Sequence, residues 1–203
     1  MSRFRELQEK VVTKLLNGVD RLYHTRARRL ARERVAGEPR PRRVSVVCYG
    51  NICRSPYAAR YLEKGLAQHG LAMIVSSAGF YGPGRPANDR GASVARGRGI
   101  SLDGHCSQML NLAEVTQTDL ALVMTRHQRR ALARQFRTEP PRRIELLGDF
   151  DPTDPVYREI DDPYGKSDEE FRRVFDQIER CMDGLMAIWA DPNSRIEPGA
   201  LRA

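Results

Sequence analysis

The 203-residue chain is 40% hydrophobic and 30% charged, an ordinary balance for a soluble protein, and it is long enough for one domain with a single core. No apolar run approaches the roughly 18 residues that a membrane-spanning helix needs, and the first residues lack the apolar stretch of a signal peptide. We therefore expect a cytoplasmic protein whose four cysteines are reduced thiols.

The net charge of +8 is confined to the N-terminal part of the chain. Residues 1–43 hold 13 basic and 5 acidic side chains, whereas residues 44–203 hold 21 of each. Because the charges of the larger part cancel, the basic composition does not indicate a nucleic-acid-binding protein.

Residues 1–42 predict a basic helical extension followed by a linker. Apolar residues recur every three or four positions from Phe4 to Leu22, as in an amphipathic helix, and an arginine-dense stretch follows and ends at Gly37. The segment GEPRPRR then resembles a linker, and we place the domain boundary at residue 42. Such a helix would contact an anionic membrane, which would hold a cytoplasmic protein at the membrane periphery, or an acidic partner protein, with nucleic acid as the less favoured partner. The alternatives are packing on the domain or pairing of two subunits.

From residue 43 onward, short apolar strands alternate with helices. The predicted strands are residues 44–48, 71–79, 119–124 and 142–148, and the predicted helices are residues 56–69, 88–98, 126–136 and 167–189. Ser167 with Glu170 forms a capping box at the start of the last helix. The alternation predicts an α/β fold, an open four-stranded parallel sheet with helices on both faces.

The loop after the first predicted strand, CYGNICRS, leads directly into a helix. In an open parallel sheet, ligands bind beyond the carboxyl ends of the strands, where this loop lies. Gly50 permits a tight backbone with inward N–H groups, the helix N-terminus adds further donors, and Arg54 offers a planar fork for two phosphate oxygens. The same donors stabilise a thiolate at Cys48. The loop therefore predicts a site that binds phosphoryl anions and attacks them through Cys48.

The stretch VVCYGNICRSPYAA resembles the signature of the low-molecular-weight protein tyrosine phosphatases. The resemblance continues in order through SSAG, GISLDGHCSQML, DLALVMTRHQRRAL, RIELLGDF and DDPYGKSDEEF, so residues 43–203 are expected to form the phosphatase domain. The bacterial members that are paired with polysaccharide-export tyrosine kinases are the most similar. The resemblance implies a phosphotyrosine protein as substrate, such as a bacterial tyrosine kinase or one of its substrates, and it implies neither a metal nor another cofactor.

The resemblance also implies the catalytic residues. Cys48 would displace the tyrosine oxygen while Asp162, in the DDPYG motif, protonates it. This step leaves a phosphocysteine, which a water molecule hydrolyses with Asp162 as the base. Arg54 would stabilise the transferring phosphoryl group in both steps. The neighbouring Asp161 is not selected, because members of the family often lack an acid at that position.

Further residues are expected to bind phosphate or to support the loop. The phosphate-binding loop would comprise Tyr49, Gly50, Asn51, Ile52, Cys53 and Ser55. The resemblance implies that Asn51 and Ser55 hydrogen-bond to His105. Tyr164 would form one wall of the substrate cleft, and Tyr81, or Phe80 in its place, the opposing wall. A reversible disulfide between Cys53 and Cys48 would protect the nucleophile from oxidation.

Other activities compete with this prediction. A thiol-dependent arsenate reductase needs two further cysteines to relay a disulfide, and here Cys106 and Cys181 lie 75 positions apart. Protein-arginine phosphatases of this kind carry threonine where the loop has Ile52, and the bulkier apolar residue favours a flat phenolic ring. An alternative from a different class is a non-catalytic module that binds phospho-ligands or anionic surfaces with its basic N-terminal helix.

Overall fold

The computed structural model describes residues 24–37, 39–153 and 158–191. Four strands form one parallel sheet: β1 (Arg43–Cys48), β2 (Ile74–Gly79), β3 (Leu120–Val123) and β4 (Arg143–Leu146). Their order across the sheet is β2-β1-β3-β4, so the chain leaves β1 in the middle of the sheet. The structure confirms the predicted α/β fold.

Helices connect the strands and cover both faces of the sheet. They are α1 (24–36), α2 (Arg54–Gln68), α3 (Asp89–Arg96), α4 (Leu112–Thr116), α5 (Arg126–Gln135) and α6 (Asp168–Ala190), with a 3-10 helix at Leu147–Phe150. The side chain of Ser167 accepts a hydrogen bond from the N–H of Glu170, so the predicted start of α6 is correct. Helix α4 was not predicted, because five residues are too few for a helical period to be recognised. In the parts of the chain that the structure describes, no helix is both long and apolar enough to cross a membrane.

Side chains alternate between the two faces of the sheet. Val46 and Leu122 point into the larger part of the core, which contains buried residues of α2, α3 and α6. Their neighbours Val47 and Val123 point to the other face and pack with Leu132 of α5. Because both faces are covered, the interior strand β3 is apolar and buried at all four positions, whereas the edge strand β2 carries two serines and is partly exposed.

The described part of the N-terminal extension, α1, packs beside β4. Ala31 and Val35 are fully buried in the larger part of the core. The guanidinium of Arg34 binds the carboxylate of Glu145 on β4, at 2.5 and 2.8 Å. The helix ends at Gly37, as predicted. Of the partners considered for the extension, residues 24–37 contact the domain itself. The amphipathic helix predicted between Phe4 and Leu22 lies outside the described residues.

Candidate active site

The loop that follows β1 lies at the carboxyl edge of the sheet, between Cys48 and the start of α2 at Arg54. The last residue of β2, Gly79, lies directly beneath it. A Cβ atom on Gly79 would come within 2.8 Å of the carbonyl oxygen of Tyr49 and 2.9 Å of the backbone nitrogen of Asn51. Only glycine therefore allows the loop to lie this close to the neighbouring strand.

Two donors surround the sulfur of Cys48. The hydroxyl of Ser55 donates to Sγ at 3.0 Å, and the backbone N–H of Asn51 donates at 3.3 Å. All three residues are buried. Both donors point at the sulfur atom, so they are in position to hydrogen-bond to it whenever it carries negative charge.

Asn51 holds the loop to its surroundings. Its backbone is left-handed, with φ of 50°, which asparagine tolerates better than most residues. The side-chain amide donates to the hydroxyls of Ser55 and Ser77, each at 2.9 Å, and the side-chain oxygen accepts from the N–H of Gln108 at 2.8 Å. One buried amide thus joins the phosphate-binding loop to β2 and to the chain beyond His105.

The hydrogen bonds of His105 differ in part from the prediction. Its Nε2 lies 2.7 Å from the backbone carbonyl oxygen of Asn51, so this pair is in contact as expected. Ser55 instead bonds to Cys48 and to the Asn51 side chain, and the prediction that it bonds to His105 is wrong. The inward-turned amide of Asn51 occupies the position beside the Ser55 hydroxyl.

Gly50 leaves space for Arg85, because a Cβ atom on Gly50 would come within 2.9 Å of Nη2 of the Arg85 guanidinium. The predicted part of Gly50 in turning N–H groups inward stays a prediction. The guanidinium of Arg85 donates to the carbonyl of Gly50 at 2.9 Å, and also to the carbonyls of Tyr81 and Gly82. Sequence reasoning missed Arg85, whose only signal is its place in the turn-rich segment GPGRP. It joins the phosphate-binding loop to the segment that carries Tyr81.

Arg54 connects the loop to residues 158–162, which we call the acid segment. The guanidinium is buried and donates from Nη1 to the carbonyl of Ile160 at 3.0 Å and from Nη2 to the carboxylate of Asp162 at 2.5 Å. Asp161 faces away and binds Arg173 of α6 at 2.8 Å. The structure therefore brings Asp162, and not its acidic neighbour, to the phosphate-binding loop.

These residues enclose a cleft of about 260 Å³. It is lined by Cys48, Tyr49, Gly50, Ile52, Cys53, Arg54, Tyr81, Arg85, Asp162 and Tyr164. The rings of Tyr49 and Tyr81 stack with centroids 6.2 Å apart, whereas Phe80 packs against the core. Across residues 24–37, 39–153 and 158–191, no three His, Cys, Asp or Glu side chains cluster as metal ligands would.

The second cysteine of the loop has a different environment from the first. Cys53 lines the same cleft, but burial, reinforced by the nearby Cys48, raises the pKa of its thiol to about 12. It therefore stays protonated at neutral pH and is a poor nucleophile. Both cysteines are free thiols in the structure, and the disulfide between them stays a prediction.

Comparison with known proteins agrees with this geometry. The family model for low molecular weight phosphotyrosine protein phosphatases matches residues 43–194. The low molecular weight protein-tyrosine-phosphatase Etp of Escherichia coli strain K12 is 37% identical over 142 residues, which are 68% of this chain and 88% of the relative.

Two solved structures share the fold. The tyrosine phosphatase AmsI of Erwinia amylovora superimposes with a TM-score of 0.63 at 30% identity, covering 72% of this chain and 92% of that one. The YwlE arginine phosphatase of Geobacillus stearothermophilus gives 0.62 at 28% identity, with the same coverage of 72% and 92%. On the family match and these similarities, the chain belongs to the low molecular weight phosphotyrosine protein phosphatase family.

Proposed function

We propose that this protein hydrolyses phosphotyrosine in other proteins through a phosphocysteine intermediate. The observation that carries the proposal is the meeting of three groups in one cleft: Cys48 with two donors on its sulfur, and the Arg54–Asp162 pair beside it. They correspond to the nucleophile, the cation for the phosphoryl oxygens and the proton donor that a phosphoryl transfer of this kind needs. Membership of the family supports the same reaction.

In the first step, Sγ of Cys48 attacks phosphorus, and the bond between phosphorus and the tyrosine oxygen breaks. A phenolate is a poor leaving group at neutral pH, because the tyrosine hydroxyl has a pKa of about 10. The carboxylic acid of Asp162 gives its proton to the departing oxygen. The products of this step are the dephosphorylated tyrosine, the Asp162 carboxylate and phosphocysteine.

In the second step, a water molecule attacks phosphorus, and the bond between sulfur and phosphorus breaks. The Asp162 carboxylate takes a proton from that water, which restores the acid for the next cycle. The leaving group is now the Cys48 thiolate, and the Ser55 hydroxyl and the Asn51 N–H are placed to stabilise it. Inorganic phosphate is released.

Arg54 contributes to both steps through its charge. Its guanidinium is 3% exposed, so its attraction for the phosphoryl oxygens is only weakly screened by water. Within the described residues, Nε of this guanidinium is buried and has no hydrogen-bond partner, and it is therefore available to a phosphoryl oxygen. A donor that is fixed in advance stabilises the charge that spreads over the transferring group.

The lining of the cleft favours an aromatic substrate. Tyr49, Tyr81 and Tyr164 are all more than half exposed at its mouth, where a flat ring can stack against them. Ile52 adds an apolar surface deeper in the loop. These side chains suit the phenyl ring of phosphotyrosine better than the polar chain of phosphoarginine, although one structural relative is named an arginine phosphatase.

The other cysteines support a phosphatase over an arsenate reductase. A reductase of this kind relays a disulfide from the nucleophile to two further thiols. Cys106 is exposed outside the cleft lining, whereas Cys181 is buried in α6, where burial raises the pKa of its thiol. Neither position supports a relay that begins at Cys48.

The natural substrate in this proposal is a phosphotyrosine protein, with a bacterial tyrosine kinase or one of its substrates as the candidate. Contact of residues 1–42 with an anionic membrane or a partner protein stays a prediction, because residues 1–23 lie outside the described residues. Binding to liposomes of anionic lipid at increasing salt, with and without residues 1–23, tests it.

The decisive experiment measures the release of phenol from phenyl phosphate, with reductant and without added metal. Cys48→Ser is expected to abolish turnover, and Asp162→Asn to lower it by about 10²- to 10⁴-fold. The matched control Asp161→Asn, on the neighbouring acid, is expected to stay near the wild-type rate. A Cys48→Ser variant as active as the wild type would overturn the mechanism. A wild-type protein that binds phosphate without turnover would favour the non-catalytic module.

A further inference from the structure

The described part of the N-terminal extension holds the chain just ahead of the acid segment. Arg28 of α1 is buried, and its guanidinium donates from Nη1 to the carbonyl of Asp151 at 2.8 Å and from Nη2 to the carbonyl of Gly148 at 2.9 Å. The family model matches residues 43–194, so the helix that makes this contact lies outside the matched region. A rigid guanidinium fork that holds two backbone carbonyls fixes the path of the chain between them.

Asp149, one of the two residues between Gly148 and Asp151, holds the acid segment. Asp149 is fully buried, and its two carboxylate oxygens accept hydrogen bonds from Nε and Nη2 of Arg158, the first residue of the acid segment. The backbones also touch, because a Cβ atom on Gly148 would lie 2.1 Å from the carbonyl oxygen of Arg158. Residues 147–151 and the start of the acid segment therefore form one packed unit, in which neither part can shift without the other.

The same unit determines where the general acid lies. Two residues after Arg158, the carbonyl of Ile160 accepts the hydrogen bond from Arg54, and two residues further on Asp162 reaches the same guanidinium. A general acid must lie within hydrogen-bond distance of the oxygen that it protonates. A shift of the acid segment by a fraction of an ångström therefore weakens proton transfer, while the donors on Cys48, which come from Ser55 and Asn51, keep their positions.

We propose that α1 is a positioning element for the general acid. Arg28 holds residues 147–151, and the Asp149–Arg158 pair links these residues to the segment that carries Asp162. This inference rests on the proposed function, in which Asp162 protonates the leaving tyrosine. Arg28 touches no reacting atom, and it acts through the backbone that it holds. The extension thereby becomes part of the catalytic apparatus of this chain.

The test uses the fact that a general acid matters most when the leaving group is poor. Phenyl phosphate releases a weakly acidic phenol, whereas 4-nitrophenyl phosphate releases a much more acidic one that needs little help from a proton donor. The second step, hydrolysis of phosphocysteine, is common to both substrates, so the readout is kcat/KM, which reports only the step in which the phenol leaves. For Arg28→Met we expect kcat/KM to fall about tenfold on phenyl phosphate and less than about twofold on 4-nitrophenyl phosphate. The matched control is Arg29→Met, an exposed neighbour on the same helix, which should change neither rate. Inhibition by inorganic phosphate should be equal in all three proteins.

The ratio of the kcat/KM values for phenyl phosphate and 4-nitrophenyl phosphate does not depend on the fraction of the protein that is folded. A variant that folds poorly therefore still tests the proposal. If Arg28→Met gives no folded protein, Arg28→Lys replaces it and the same ratio is measured, because lysine keeps the charge but lacks the fork. In an Asp162→Asn background, Arg28→Met should change the ratio no further. An unchanged ratio, or an effect that persists in that background, overturns the positioning role. An Asp162→Asn variant with an unchanged ratio would instead contradict the proposed acid.

Discussion

The guanidinium of Arg54 and the carboxylate of Asp162 lie 2.5 Å apart, although 108 positions separate them in the sequence. The same guanidinium also holds the carbonyl of Ile160 at 3.0 Å. One buried cation thus belongs to the phosphate-binding loop and fixes the segment that carries the proposed acid. Loss of its fork should therefore impair phosphate binding and proton transfer together.

Replacement of Arg54 by lysine tests this double role. Lysine keeps the positive charge but lacks the planar fork, so it cannot donate hydrogen bonds to Ile160, Asp162 and a phosphoryl oxygen at the same time. We expect kcat/KM for phenyl phosphate to fall by about 10²-fold or more, and inorganic phosphate to inhibit more weakly. The same change at Arg90, an exposed residue, should leave both values unaltered. Equal activity of Arg54→Lys and the wild type would contradict the role of the fork.

Gly79 offers a prediction about the shape of the loop. An alanine there would place its Cβ 2.8 Å from the carbonyl oxygen of Tyr49 and 2.9 Å from the nitrogen of Asn51, and these backbone atoms must move to accept it. We expect Gly79→Ala to lower kcat for phenyl phosphate by about tenfold or more, because the donors on Cys48 shift.

A glycine elsewhere provides the control for that change. Gly97 has right-handed backbone, and a Cβ there would make only ordinary contacts, the nearest at 3.5 Å. Gly97→Ala should therefore retain activity and thermal stability. Wild-type kinetics for Gly79→Ala would show that the loop tolerates displacement.

Much of this architecture could be predicted from the sequence, because local patterns determine it. Buried parallel strands are short apolar runs, and the loop after β1 carries its turn, its thiol and its arginine within eight positions, from Cys48 to Ser55. Asp162 was identified only through the resemblance to a family. Nothing local in DDPYG distinguishes a catalytic acid from a solvated turn.

The contacts that the sequence did not reveal are made by arginines that look alike in the sequence. Arg28 lies among exposed neighbours such as Arg29, and only the folded chain shows that one is buried on two carbonyls while the other faces solvent. Arg85 was missed for the same reason. A long cationic side chain carries no sequence signal of such contacts, because its partners here are backbone carbonyls, which every residue has.

Selective alkylation tests the environments of the thiols. With iodoacetamide at pH 7, we expect modification of Cys48, which lines the cleft, and of the exposed Cys106. Cys53 should be spared, because burial raises its pKa to about 12 and only about one molecule in 10⁵ then carries the thiolate at pH 7. A pH of 9 is still far below that pKa, so raising the pH to 9 should not make Cys53 reactive.

Peptide mapping by mass spectrometry gives the rate at each cysteine. Inorganic phosphate should slow the modification of Cys48 and leave that of Cys106 unchanged, which makes the latter an internal control. Modification of Cys53 as fast as Cys106 would contradict its protonated state.

The last prediction concerns the choice between phosphotyrosine and phosphoarginine, which depends on Ile52. This side chain lines the cleft and offers an apolar surface to a flat ring. Threonine is smaller and polar, so Ile52→Thr should lower kcat/KM on a phosphotyrosine peptide relative to a phosphoarginine peptide of the same sequence, by about tenfold. The identical change at Ile74, exposed on β2, should leave the ratio unaltered. A wild-type protein that prefers the phosphoarginine peptide would contradict the proposed substrate. If Ile52→Thr leaves the ratio of the two kcat/KM values unchanged, the selectivity depends on the tyrosines at the mouth of the cleft and not on Ile52.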